Sequence, residues 1–218
     1  MSSVRSRSDP VKKTRAYDST GRQARARRNR NRIVTTAERM FLRDGYSGTT
    51  IAAIAAESGV SPDTIYKGFG GKAGLVRAIR SEALKGVGPI PAEQRSDALH
   101  ATTSDAKAII GEWGRLTAEV APLVTPILLL IRTAAASDPA ARRLMEEMDA
   151  DRFARMADNA RRLHATAHLR RGISVDDATD VLWTYSAPEL YELLVLRRGW
   201  TPQRFGRFAA DARIAALL

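Results

Sequence analysis

Cysteine is missing from this 218-residue chain. Its absence excludes disulfides, thiolate metal sites and a cysteine nucleophile, and it fits a reducing cytoplasm, where the chain is expected to act. The N-terminus is basic and polar with no apolar run behind it, so no secretory leader is expected. The longest apolar segment, around Pro126 to Ile131, falls far short of the roughly 20 residues that span a bilayer, and no membrane partner is expected. Catalytic signatures are missing as well: there is no GxSxG elbow, no HExxH pattern and, beyond residue 91, no glycine-rich phosphate loop. His164 and His168 stand four apart, on one face of a helix, but a third zinc ligand would have to be His100 or a distant carboxylate. No catalytic residue, metal or cofactor is therefore assigned.

What the chain does have is positive charge, and that charge is localised. The net value is +11, of which residues 1–32, with eleven Lys or Arg against two acids, hold +9. Residues 33–90 add +2, and residues 91–218, with seventeen of each sign, are neutral. A basic end on a balanced body is the footprint of a nucleic-acid-binding head. Residues 1–22, rich in Ser, Arg and Lys, read as a disordered arm that tracks phosphates or reaches a minor groove. Arg22 and Arg25, where the arm meets the first helix, are counted among the DNA contacts. Arg27, Arg28 and Arg30 read as phosphate ligands or solvated charges.

The most informative stretch is residues 47–75, within a head expected over residues 23–86. A first helix from about Ala24 carries Ile33, Val34, Ala37, Met40 and Phe41 at helical spacing and stops at Asp44-Gly45. Next, Ile51, Ile54 and Ala55 mark one face of a short helix, with Thr49 or Thr50 as its N-cap and Gly59 as its exit. Ser61 and Pro62 then supply an N-cap and a first helical residue. In the helix that follows, Ile65 and Phe69 point inward, leaving Thr64, Tyr66 and Lys67 outward. Two helices, a glycine-containing turn and an outer face of donors form a helix-turn-helix, although an ordinary hairpin with a wet face shares the spacing.

The segment IAAESGVSPDTIYKGFGGKAGLVRAI goes further. It resembles the signature of the TetR (tetracycline-repressor) family of bacterial transcription regulators, with Ala55, Gly59, Val60, Ser61, Thr64, Tyr66, Phe69, Lys72 and Leu75 at matching places. The resemblance implies that Thr50, Ser61, Pro62, Thr64, Tyr66, Lys67 and Lys72 meet DNA, mostly at phosphates. Three positions depart from the signature. Ser58 replaces a common Ala in what reads as a turn, Gly68 replaces a larger residue, and Asp63 brings a carboxylate that suits the helix dipole and is repelled by phosphate. Asp63 would instead accept from a cytosine amine. A fourth helix from Lys72 through Leu84 would join head to body, its amino end open to a phosphate.

Beyond the break at residues 86–91 the chain reads as almost wholly helical over 91–218, a ligand-binding and dimerisation domain in the family. Pro122 and Pro126 should fall at helix ends or kinks. Trp113, Leu116, Met145, Met148, Phe153 and Trp183 are the candidate lining of a pocket, although methionines and aromatics at this spacing also serve as plain core. The last two elements, Val175 to about Arg198 and Pro202 to Leu218, carry Leu190, Leu193, Leu194, Phe205, Phe208 and Leu217 for a seam with a second copy, although a lone chain could bury the same residues internally. The expectation is an all-α, homodimeric regulator that binds a double-stranded DNA operator and is released by a small-molecule effector. The alternative is an architectural DNA binder that has no effector.

Overall fold

The computed structural model describes residues 19–166 and 169–218, and every regular element among them is helical. The expected arm over residues 1–18 lies outside the described residues, as does His168 of the histidine pair. Helix α1 spans Ser19–Asp44 and so begins earlier than Ala24, taking residues 19–22 of the expected arm into the helix. Ile33, Val34, Ala37, Met40 and Phe41 are all buried along one stripe of it. Gly45, at φ 79°, ends the helix where its amide bonds the Phe41 carbonyl.

Three short helices complete the head: α2 (Ile51–Ser58), α3 (Pro62–Phe69) and α4 (Lys72–Leu84). Their boundaries come from local chemistry. Thr50 caps α2 by accepting from the Ala53 amide at 3.1 Å, while Thr49 is buried and donates to the Met40 and Gly45 carbonyls. Ser58 is not in the turn. It is the last residue of α2 and, buried, bonds back to the Ile54 carbonyl at 2.5 Å. Gly59 leaves α2 in the left-handed region at φ 66°.

The body contains α5 (Ala92–Thr102), α6 (Ala106–Ala135), α7 (Pro139–Thr166), α8 (Val175–Thr184), α9 (Pro188–Tyr191) with a π-helical continuation over Glu192–Arg197, and α10 (Pro202–Leu217). Pro122 and Pro126, expected at ends or kinks, lie inside α6, a 30-residue helix, so neither marks a helix end. Packing outweighs the roughly 3 kcal/mol that a proline costs in a helix interior. The element expected over Val175 to Arg198 is instead broken after Thr184, because Pro188 starts a new helix.

With both prolines absorbed, α6 is long and apolar enough, by length and composition, to cross a membrane. Here it is the central helix, packed against α10, α7, α4 and α5. Only 28% of its most apolar part is buried. Thr117, Val120, Ala121, Val124 and Leu128 fall on one face of it, and that face borders a cavity.

The cores do not divide at residue 86. Ile33, Phe41, Ile54, Ile65, Leu75 and Ile79 of the head share one buried cluster with Ile127 and Ile131 of α6 and Leu144 and Met148 of α7. A second cluster around Ile109, Ile110, Trp113, Leu163 and Leu182 fills the far end of the body.

Candidate DNA-binding surface and internal cavity

Helix α3 presents a single buried residue, Ile65, to the head; Phe69 is half-buried beside it. Ser61, Pro62, Asp63, Thr64, Tyr66, Lys67 and Gly68 are all exposed. The Ser61 hydroxyl accepts from the Thr64 amide at 3.2 Å and lies 2.9 Å from the Thr64 hydroxyl, so two of the expected contacts are held in one geometry. Tyr66 is 56% exposed, far more than a ring serving the core would be.

The cations are less free than the sequence implies. Lys67 pairs with Asp63 one turn back, at 2.8 Å. Lys72 turns inward: its Nζ donates to the Tyr46 carbonyl at 2.5 Å and sits 4.3 Å from the Tyr46 ring centroid. Burial pushes the Lys72 ammonium below its ordinary value, with Asp138 opposing. The α4 N-terminus has no side-chain cap, since Gly71 precedes it, and its first amides remain available. Arg30 bridges from α1, its guanidinium 4.6 Å from the Phe69 ring centroid and within 3.5 Å of the Gly68 carbonyl. That contact sets the basic start of α1 against the end of α3. Arg25, Arg27 and Arg28 are exposed along the same part of α1. Arg22 lies in α1, and its side chain is outside the described part of the structure.

A partly open cavity of about 590 Å³ lies between α6 and α7, with residues of α4, α5, α8, α9 and α10 completing its wall. Trp113, Leu116, Met145 and Met148 line it. Phe153 and Trp183 do not: they pack edge to face at 6.0 Å, with the Arg152 guanidinium over the Trp183 ring. On a helix such as α7, an aromatic one residue off the inner stripe faces a different neighbour. The wall also holds groups with no sequence signal, among them Asn159, Arg152 and Arg213. No group of three metal-ligating side chains occurs among the described residues.

The residues expected at a subunit seam separate into two kinds. Phe205 is buried, packs edge to face on Tyr191 at 5.3 Å and borders the cavity, so it is spent within the chain. Phe208 is 37% exposed and stacks edgewise with Trp200 and Tyr185, while Leu190 and Leu194 are half-buried. Leu193, also expected there, is more exposed, as is Leu196, while Leu217 is buried within the chain.

Residues 33–79 match the family model described as bacterial regulatory proteins, tetR family. No curated protein matches the chain. Among solved structures, NalD, the secondary repressor of the MexAB-OprM multidrug efflux pump in Pseudomonas aeruginosa, is 20% identical with a TM-score of 0.67, covering 88% of this chain and 98% of NalD. A proposed TetR-family transcriptional regulator from Rhodococcus sp. is 17% identical (TM-score 0.63, 87% and 98% covered). A proposed transcriptional regulator from Saccharomonospora viridis, solved in complex with choline, is 22% identical (TM-score 0.61, 88% and 98% covered). At these identities the likeness is one of fold.

Proposed function

This chain belongs, through its residues 33–79, to the tetR family of bacterial regulatory proteins and is a DNA-binding transcription regulator; we propose that it is a repressor that binds a palindromic operator as a homodimer and is released by a small molecule. The observation that carries the reading is α3. Every residue from Ser61 to Gly68 except Ile65 is solvent-facing, and the basic start of α1 is held beside it by Arg30. A helix so presented fits a major groove, with Thr50, Ser61, Pro62, Thr64, Tyr66 and Lys67 as its contacts and Arg25 on the neighbouring phosphates. Lys72 holds Tyr46 in place and offers the α4 amides to a phosphate.

The dimer reading rests on apolar surface left at the C-terminal end. Leu193, Leu196 and Phe208 are exposed there, and two copies joined by a two-fold axis would set two recognition helices about 34 Å apart. The effector reading rests on the cavity, whose volume lies within the range of about 300–1,000 Å³ that holds small ligands. Choline is the ligand held by the Saccharomonospora viridis neighbour. Acting on DNA, the protein would work in the cytoplasm.

Footprinting on selected duplexes tests the proposal. A protected pair of inverted half-sites is expected, with Tyr66→Ala and Lys67→Ala both weakening binding and Lys67→Ala lowering the salt slope by about one. Uniform coverage without a preferred sequence would favour an architectural binder and sink the repressor.

A further inference from the structure

The charges on the cavity wall leave one residue over. Asp151 pairs with Arg80, Glu189 with Arg132, Asp149 with Arg152 and Glu93 with Arg155, at 2.8, 3.2, 3.3 and 3.4 Å. Asp158, the remaining wall carboxylate, pairs with Arg161. Arg213 has no such partner. It projects from α10, is 3% exposed, and its Nη2 donates to the Tyr185 carbonyl at 3.0 Å. Its Nε is buried with nothing to donate to.

The surroundings sharpen this. Arg152 borders the same cavity and is anchored on the Trp183 carbonyl at 2.7 Å and the Ser186 hydroxyl at 3.1 Å, so both guanidiniums converge on the corner between α8 and α9. Arg152 Nε is also unpartnered, as is the buried Asn159 Oδ1, an acceptor without a donor. Burial lowers Arg213 to about 10, which still leaves it charged at neutral pH. A buried cation with no counter-ion costs several kcal/mol and is retained where something pairs with it. The α6 side of the wall carries an apolar strip of Leu116, Val120, Val124 and Leu128.

Resting on the reading of this cavity as the effector site, we propose that its ligand is an amphipathic organic acid, with a carboxylate on Arg213 at the α8–α9 corner and an apolar body along α6. A planar guanidinium with free N–H groups takes a carboxylate in two parallel bonds, which neither an alcohol nor an ammonium can match. The unpaired guanidinium at that corner selects against quaternary ammonium ligands.

The test uses the full chain and two matched series: decanoate, decan-1-ol and decyltrimethylammonium, and naphthalene acetate beside the corresponding alcohol. Binding is followed by tryptophan fluorescence without DNA. At least one acid is expected to bind tenfold or more tightly than its alcohol, and the ammonium to bind weakest. Arg213→Met should abolish the acid's advantage, leave alcohol binding within about twofold and melt no lower than wild type, since it removes an unpaired buried charge. Arg213→Lys should keep part of the advantage. Equal affinity for acid and alcohol in both series, or an acid preference that survives Arg213→Met, overturns the proposal even if a variant misfolds, because the first comparison needs only the wild type. An operator complex released by alcohol or ammonium alone would overturn it and leave the repressor standing. Acid binding with no footprint on any duplex would do the reverse.

Discussion

Asp63 and Lys67 face the same way from α3, and their ion pair is exposed on both sides, 69% and 78%. Such pairs are worth little to stability. Their interest lies in DNA binding, where the carboxylate repels phosphate and holds the one lysine of the helix. Asp63→Asn is expected to tighten binding several-fold across all sequences and steepen its salt dependence, read by fluorescence anisotropy at two ionic strengths. If Asp63 instead accepts from a cytosine amine, the same change loses discrimination at one base pair and gains nothing elsewhere. His100 gives a different residue-scale outcome. Both ring nitrogens are buried without partners against Trp113, and the imidazole is pushed below its ordinary value, first by burial and then by Arg162 and Arg155, with Asp97 opposing. The unfolded chain therefore binds the proton more readily. The neutral ring's contribution is present above pH 6.5, the ordinary value, and is lost as pH falls from there through the depressed folded value. Melting temperature should drop between pH 7.5 and 5.5, and drop less in His100→Gln.

Among the elements, α6 and α10 make the tightest crossing. A methyl on Gly114 would come within 2.7 Å of the Ala210 side chain and the Gly206 carbonyl, and one on Gly206 would meet Ala118 at 2.8 Å. Neither backbone can give way cheaply, so Gly206→Ala should cost about 1–3 kcal/mol, visible as a lower urea midpoint at unchanged slope. The sequence announces neither glycine, since both sit in helical patterns without a turn signal. The head was legible because its punctuation is local: Gly59, Ser61, Pro62 and Gly70 each act on their own backbone, and Ile65 follows from spacing. The body was less so. Pro122 and Pro126 point to helix ends or kinks, and the fold carries both inside one helix. Spacing marks Phe205 as apolar-facing but cannot say whether its partner is Tyr191 of the same chain or a second copy. Arg213, in the run AADARIAA, carries no sign that it is buried, because burial of a long cation depends on which helices close over it.

At the scale of the whole molecule, the cavity and the core beneath the DNA-binding head share side chains. Ile131 and Met148 belong to the cluster beneath α1 and α4 and also border the cavity, while the Arg77–Glu147 pair, at 2.6 Å, ties α4 to α7 at the surface. The exposed pair contributes little; on the proposed effector reading, the packed contacts and Arg80 of α4, which borders the cavity and pairs with Asp151, are the links between the sites. By linkage, whatever factor the effector takes from DNA affinity, DNA takes from effector affinity. Met148→Ala shortens the side chain that touches both and should cost about 2–5 kcal/mol of stability. It should also bring the ratio of effector affinities with and without operator toward one. Leu163→Ala, in the far cluster of the body, should cost a similar amount and leave that ratio alone. If both variants change the ratio equally, coupling follows global stability and the shared cluster is not its route.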